Sequence, residues 1–82
     1  MNLLALRYFC AVARQGNVTT TANQLHVSQP AVSKAIRGLE IELEVSLFYR
    51  EPDGVRLTEA GKALYDKTDE ALKLLDAGVQ AA

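Results

Sequence analysis

Residues 25–40 of the chain, LHVSQPAVSKAIRGLE, decide the fold. Ser28 carries a side chain that caps helix N-termini well, and Pro30 lies in the first turn, where its missing N–H costs no hydrogen bond. Together they predict a helix that begins at Gln29 and ends near Glu44. Its apolar residues follow helical spacing and form one stripe that must pack against other elements: Val32, Ile36, Leu39 and Leu43.

The face opposite this stripe is polar and has no carboxylate. It carries Gln29, Pro30, Ser33, Lys34 and Arg37. Such a face can approach the phosphates of a nucleic acid, since nothing on it repels them. The alternative is an ordinary solvated helix face, which is the usual explanation for polar residues opposite a buried stripe.

Two further helices precede this one. Apolar spacing, a cap at Asn2 and a stop at Gly16–Asn17 predict the first helix over Leu3–Gln15. We expect the threonines Thr19–Thr21 to cap a second, short helix that runs through Ala22–Leu25. A short helix, a turn of about three residues and a longer helix with a cationic face form the helix-turn-helix, whose second helix enters the major groove of DNA.

Downstream, Glu51–Gly54 has the residues of a type I turn, with Pro52 second, Asp53 third and glycine last. Short apolar segments flank it, Leu47–Tyr49 before and Val55–Leu57 after. The pattern predicts a small two-stranded hairpin, or wing, although an ordered loop of this length would have the same pattern.

A last helix begins after Thr58, which is a good N-cap, and Glu59 suits its positive first turn. Its apolar residues recur at spacings of three and four, which predicts a seam that packs against a second helix. This predicted seam consists of Leu64, Ala71, Leu72, Leu75 and Val79.

The charges divide the chain into two unlike halves. Residues 1–39 hold four basic side chains and no acidic one, whereas residues 40–82 hold five basic and ten acidic ones. The resulting charges of +4 and −5 give the net charge of −1. We therefore expect the first half to meet an anion. A protein-interaction bundle, the alternative of a different class, explains the seam of the last helix but not this acid-free half.

The cysteine and histidine content excludes several other functions. A single cysteine, Cys10, closes no intramolecular disulfide, and with a single histidine, His26, it cannot complete a four-ligand zinc site. We expect Cys10 in the core and His26 in the turn. An enzyme would need a nucleophile, a base and an orienting group, for which few candidates exist.

The longest apolar run, Tyr8–Ala13, is too short for a membrane span or a signal peptide, so we expect a cytoplasmic protein.

Three segments resemble one known family: Leu25–Glu40, Leu47–Arg50 and Leu57–Gly61. They closely resemble the N-terminal DNA-binding domain of LysR-type bacterial transcriptional regulators, and several motifs in order are far more specific than one short pattern. The resemblance implies a mainly α fold, with a winged helix-turn-helix over residues 1–57 and a linker helix over residues 58–82 that pairs in a dimer. It also implies a C-terminal domain, absent from this chain, that binds a small-molecule effector, and no cofactor in the DNA-binding domain.

With this resemblance, the polar face of the third helix becomes a predicted DNA-reading surface. Base contacts are expected from Gln29, Pro30, Ser33 and Lys34, the lysine reaching either guanine or phosphate. Contacts to the DNA backbone are expected from Thr19, Thr20, Ser28, Arg37, Arg50 and Arg56. For Arg50 an ion pair with Glu40 or Glu42 is an equal alternative, and Arg56 can equally be a solvated strand residue.

Three residues depart from the usual pattern of the family. Glu44 stands where a glycine commonly ends the recognition helix, so a left-handed backbone there would cost roughly 1 kcal/mol. Thr21 replaces a common alanine and is expected to crowd the first helix slightly. Asp53 lies at the wing tip, where a basic residue is common, and its carboxylate would repel phosphate.

The resemblance implies binding as a homodimer. Two recognition helices, each spanning residues 29–44, would enter successive major grooves, so the half-sites would lie ~34 to 36 Å apart in an imperfect palindrome. The paired linker helices would set that distance. A tetramer of the full-length protein fits the same arrangement.

Overall fold

A polar residue caps the beginning of every helix, and these caps place the boundaries. The computed structural model describes all 82 residues. It contains α1 (Leu3–Gln15), α2 (Val18–Leu25), α3 (Gln29–Leu43), β1 (Phe48–Glu51), β2 (Gly54–Leu57) and α4 (Glu59–Ala81). The cap side chains, each accepting a hydrogen bond from a backbone N–H of the first turn, are Asn2, Asn17, Ser28 and Thr58. The predicted caps at Asn2, Ser28 and Thr58 are therefore confirmed.

The predicted cap of α2 is wrong. Asn17, and not a threonine, accepts the hydrogen bond from the Thr20 N–H at 2.9 Å, so α2 begins at Val18 and all three threonines lie inside it. Thr21 is buried there, and its hydroxyl donates to the Asn17 carbonyl at 2.8 Å. This bond satisfies the hydroxyl in the core, which is how the helix accommodates a polar residue at a position expected to be crowded.

The first three helices all end in a left-handed residue. Gly16 ends α1 with φ 73°, His26 ends α2 with φ 58° and Glu44 ends α3 with φ 57°. Glycine adopts this backbone freely, whereas His26 and Glu44 do so at a cost of roughly 1 kcal/mol each. The recognition helix thus ends as the family pattern requires even though its glycine is missing, and His26 lies in the turn as predicted.

The core forms where α1, α3 and the wing meet. Phe9, Leu39 and Leu47 are its largest fully buried side chains, and the Phe9 and Phe48 rings pack at 5.4 Å between centroids. The predicted stripe of α3 faces this core, with Val32, Ile36 and Leu39 buried and Leu43 half-buried. Cys10 is fully buried, and burial raises the pKa of its thiol. Its expected place in the core is confirmed.

The predicted hairpin is present. β1 and β2 pair antiparallel with Phe48 opposite Leu57 and Glu51 opposite Gly54. The wing lies against the α1–α2 junction, because the Val55 N–H donates to the Gly16 carbonyl at 2.9 Å. A Cβ on Gly54 would collide with that same carbonyl, and its φ of 151° also favours glycine.

The helix α4 packs on the wing and on α1 as far as Leu72, whereas the residues that follow are exposed. The Thr58 hydroxyl donates to the Ser46 carbonyl at 2.6 Å, and a Cβ on Gly61 would collide with the Leu47 carbonyl oxygen. Thr68 and Leu72 are the remaining buried residues of α4, so no residue after Leu72 is buried. None of the four helices combines the length and apolar character needed to cross a membrane.

Candidate nucleic-acid interface

The helix-turn-helix presents the polar face of α3 to solvent. The turn His26–Ser28 separates α2 from α3, and Ala22, almost fully buried, allows the two helices to approach. Around it, Val32 is buried and Val27 half-buried. As a result the five polar-face residues of α3 are exposed or half-buried: Gln29, Pro30, Ser33, Lys34 and Arg37.

A hydrogen bond joins two of these side chains. The Gln29 amide nitrogen donates to the Ser33 hydroxyl oxygen at 2.6 Å, across one turn of α3. This leaves the Gln29 amide oxygen, its second amide hydrogen and the Ser33 hydroxyl hydrogen free to bond elsewhere. The pair can therefore present a donor and an acceptor side by side, as bidentate contact with a base edge requires.

Lys34 and Arg37 are cations without an acidic partner in the chain. They differ in this from the other two basic residues of the first half. Arg7 lies 2.9 Å from Asp76 of α4, and Arg14 lies 2.6 Å from Asp69. Aspartates of α4 thus neutralise two of the four basic side chains of residues 1–39. The two that remain unpaired both lie on α3.

The same ion pairs shift the protonation equilibria of their members. Hydrogen bonding to Arg14 and Lys73 lowers the pKa of Asp69, and hydrogen bonding to Arg7 lowers the pKa of Asp76. Both carboxylates therefore stay charged at neutral pH and below it, and the two arginines remain neutralised. The charges of Arg7 and Arg14 are thus balanced within the chain.

The predicted phosphate donors of α2 and α3 lie at helix N-termini. Thr19 and Thr20 are exposed in the first turn of α2, and Ser28 is exposed at the start of α3. The Ser28 oxygen accepts from the Ala31 N–H at 3.2 Å, which leaves its hydroxyl hydrogen free to donate. Helix N-termini carry partial positive charge, so an anion is favoured at both places.

The wing places Arg50 and Arg56 differently. Arg50 is exposed and makes no ion pair; the alternative pairing with Glu40 or Glu42 is wrong, because Glu40 accepts from the Leu47 N–H at 2.7 Å and Glu42 pairs with the N-terminal ammonium. Arg56 pairs with Glu51 at 3.2 Å and lies over the Tyr49 ring at 4.8 Å. Its charge is therefore partly used within the hairpin.

Asp53 is exposed at the wing tip, in the two-residue loop of the hairpin. Its carbonyl oxygen accepts from the Asn17 side chain at 3.4 Å, whereas its carboxylate makes no ion pair. The backbone carbonyl of Asp53 thus holds the turn against Asn17, whereas its carboxylate carries the charge and is free of this contact.

The residues of the predicted α4 seam divide into two groups. Leu72 is 6% exposed and Leu64 half-buried, and both pack against the core of their own chain. Leu75 and Val79 are 42% and 69% exposed, and Ala71 is exposed as well. Leu74, at 70% exposure, lies on the same free surface and was not predicted, although it follows Ala71 by three residues.

These elements match a family profile described as "Bacterial regulatory helix-turn-helix protein, lysR family", which covers residues 3–62. The chain belongs to the LysR family. The profile spans the whole helix-turn-helix, the wing and the start of α4. No group of three or more histidine, cysteine or acidic side chains is arranged to hold a metal ion in this LysR-family chain.

Curated relatives of this LysR-family chain are longer than the chain itself. It is 46% identical over 82 residues to the HTH-type transcriptional regulator BudR of Klebsiella aerogenes, covering 100% of the chain and 57% of that protein. It is also 46% identical over 74 residues to the regulator TfdS of Cupriavidus pinatubonensis, covering 90% of the chain and 25% of that protein.

Solved structures of similar proteins include complexes with DNA. The DNA-binding domain of BenM bound to catB site 1 DNA has a TM-score of 0.93 and 34% identity, over 99% of this chain and 90% of that one. The DNA complex of the CbnR DNA-binding domain has a TM-score of 0.90 and 37% identity, over 99% and 93%. The fold of this LysR-family chain is thus the winged helix-turn-helix with a long C-terminal helix.

Proposed function

We propose that this LysR-family chain binds double-stranded DNA in a sequence-specific manner, with α3 in the major groove. The observation that carries the proposal is the exposed face of α3, where Lys34 and Arg37 have no acidic partner while Arg7 and Arg14 are neutralised by α4. A free cationic face without carboxylates fits a polyanion. The similar CbnR and BenM domains solved with DNA support the same conclusion.

Base readout is assigned to the first turns of α3. The hydrogen-bonded pair Gln29 and Ser33 offers donor and acceptor groups to one base edge. Pro30 has no polar tip and packs against a thymine methyl, and Lys34 reaches guanine or phosphate. Arg37 lies a full turn further from the helix N-terminus, so we assign it to phosphate.

Contacts to the DNA backbone flank this helix on both sides. The helix N-termini supply Thr19, Thr20 and Ser28, and the wing supplies Arg50 and, to a smaller extent, the partly paired Arg56. Arg50 is the wing cation that is free to meet a phosphate.

We also propose that the chain acts as a homodimer through the second half of α4. The exposed apolar surface that a second copy would cover consists of Ala71, Leu74, Leu75 and Val79. Leu64 and Leu72 support this surface from within their own chain. Two α3 helices held by such a dimer fit an imperfect palindrome with half-sites ~34 to 36 Å apart.

The chain would serve as the DNA-binding part of a cytoplasmic transcriptional regulator and not as an enzyme. In this division residues 1–57 read DNA and residues 58–82 link and dimerise, while a small-molecule effector binds a separate C-terminal domain. A tetramer of the whole regulator is compatible with this arrangement.

The test combines a selection of binding sites from random duplex DNA with anisotropy titrations at two salt concentrations. We expect the selection to enrich an imperfect palindrome and the affinity to fall steeply with salt. Lys34→Ala should weaken binding, whereas Lys67→Ala should not, because Lys67 is an equally unpaired lysine on α4. No enriched sequence, or an affinity independent of salt, would contradict the proposal and favour a protein-interaction bundle.

A further inference from the structure

Two ion pairs join α1 to α4 in a regular antiparallel order. Arg7 pairs with Asp76, and Arg14 pairs with Asp69. The two arginines are seven residues apart in α1, and the two aspartates are seven residues apart in α4. Seven residues correspond to about two helical turns, or ~10.5 Å, so the pairs form two rungs of equal spacing on both helices.

Each of these helices has a buried residue between its two paired residues. Cys10 of α1 and Leu72 of α4 are both buried, at positions intermediate between the paired residues. Asp76 makes the last side-chain hydrogen bond between α4 and the rest of the chain. Everything in α4 that follows Asp76 projects from the core without a further contact of this kind.

A single buried leucine leaves the direction of α4 on α1 open. The start of α4 is anchored, because the Thr58 hydroxyl donates to the Ser46 carbonyl and Gly61 lies against the Leu47 carbonyl, so the helix cannot slide. Burial of Leu72 has no directional preference, however, and does not resist a tilt of the second half of α4 about that contact. Such a tilt would separate both arginines from their carboxylates, so the rungs favour one direction only.

This role differs from stabilisation. The side chains of Arg7 and Asp76 are 39% and 59% exposed, and ion pairs with this much exposure contribute little to the free energy of folding. Charge pairs that flank an apolar seam nevertheless select the register and orientation of packed helices, as they do in coiled coils.

We propose that the pairs Arg7–Asp76 and Arg14–Asp69 are positioning residues that fix the direction of α4 on the core and so set the separation of the two recognition helices. The inference rests on the proposed function, because only a DNA-bound dimer translates this direction into a preferred distance between half-sites. Its structural part, the fixed direction, holds in the isolated chain.

The structural part is tested by the distance between spin labels at Ile41→Cys and Gln80→Cys, two exposed positions on α3 and α4. Cys10 is buried and so is protected from the label. Labelled chain is diluted with unlabelled chain, so that only distances within one chain count. We expect a narrow distribution in the otherwise unchanged chain, a broad or displaced one in Asp76→Arg, and a narrow one again in the charge-swapped Arg7→Asp/Asp76→Arg.

The Asp76 rung is chosen for the swap because Asp69 also pairs with Lys73, so that reversal there would disturb two partners. Lys62→Gln is the matched control, since it breaks an ion pair with Glu59 within α4 and touches no residue of α1. A narrow, unshifted distribution in folded Asp76→Arg would overturn the inference whether or not the chain binds DNA.

The functional part is tested on DNA sites whose half-sites are moved closer or further by one or two base pairs. We expect the unchanged chain to prefer one spacing by about tenfold over sites altered by two base pairs, and Asp76→Arg to reduce this preference to about twofold. The charge swap and Lys62→Gln should retain the preference. Failure of the unchanged chain to bind any site would contradict the proposed function alone, whereas an unaltered preference in Asp76→Arg would contradict the inference alone.

Discussion

The two long helices leave opposite groups without a partner. On α3 the apolar stripe is buried in the core, and the exposed face keeps two cations free, Lys34 and Arg37. On α4 the aspartates Asp69 and Asp76 are paired with arginines of α1, and large apolar side chains of its second half are exposed instead, Leu74 and Val79 among them. The chain thus buries the apolar face of α3 and pairs aspartates of α4, whereas it leaves cations of α3 unpaired and leucines of α4 exposed.

This difference indicates two different partners. Unpaired cations gain most from a polyanion, whereas exposed leucines gain most from a second apolar surface. The paired arginines Arg7 and Arg14 strengthen the contrast, because they remove positive charge from the side of the molecule that faces α4. One helix is thus suited to DNA and the other to a second protein helix.

The largest effect is expected inside the buried stripe of α3. Leu39→Ala should lower the free energy of unfolding by about 2 to 5 kcal/mol, because it leaves a cavity in the core. Ile41→Ala, on the exposed side of the same helix, should change it by less than about 0.5 kcal/mol. Urea denaturation of both variants measures the difference, and equal losses would mean that the two faces are not as distinct as the structure shows.

The next largest effect is expected from a charged substitution in the exposed apolar surface of α4. Leu75→Asp should dissociate the dimer, since a carboxylate in an apolar seam costs several kcal/mol, on the order of 2 to 7. Ala63→Asp is the control, because Ala63 is an exposed alanine in the first half of the same helix. Sedimentation equilibrium gives the mass of each variant. An unchanged dimer mass for Leu75→Asp would place the interface elsewhere.

Two single substitutions on α3 distinguish contacts to the bases from contacts to the phosphates. Gln29→Ala should cost roughly 1 to 3 kcal/mol on the best site and relax the preference at one base pair of each half-site. Arg37→Ala should weaken all sequences alike and lower the salt slope by about 1 per subunit. Anisotropy titrations on matched and mutated sites distinguish the two. A uniform loss for both variants would refute the base-reading role of Gln29.

The smallest effect is expected at the wing. Asp53→Asn removes a charge but keeps the turn, because the Asn17 side chain bonds to the backbone carbonyl of this residue. If the wing lies near phosphate, DNA affinity at low salt should rise by up to about 1 kcal/mol, and the gain should shrink as salt is added. Equal affinities at every salt concentration would show that α3 carries the contact without the wing tip.

The sequence predicted those features that depend on local chemistry. The caps at Ser28 and Thr58, the turn at Pro52 and the stripe of α3 all follow from residues within a few positions of one another. The cap of α2 was missed because Asn17 directly follows the stop signal Gly16 and was assigned to it. One residue ends α1 and the next begins α2.

Features that join distant segments were not predictable from the sequence. The pairing of Arg7 and Arg14 with aspartates of α4 requires knowing that α4 folds back along α1. The same packing decides that Leu72 is buried while Leu74 is exposed, because periodicity defines a helix face without saying which neighbour covers it. The residues of the candidate DNA surface on α3 were predictable from the sequence. Which of the basic residues in the first half remain without an acidic partner was not.

Two glycines, Gly54 of the wing and Gly61 of α4, have a consequence for experiments that score every substitution in the chain. Any side chain at either position would collide with a backbone carbonyl, although neither glycine belongs to the candidate DNA surface. A saturation map would therefore mark both positions as intolerant as any DNA-reading residue. Abundance and DNA binding measured side by side would tell them apart: substitutions at Gly54 should remove the protein itself, whereas those at Gln29 should leave it abundant and unable to choose its site.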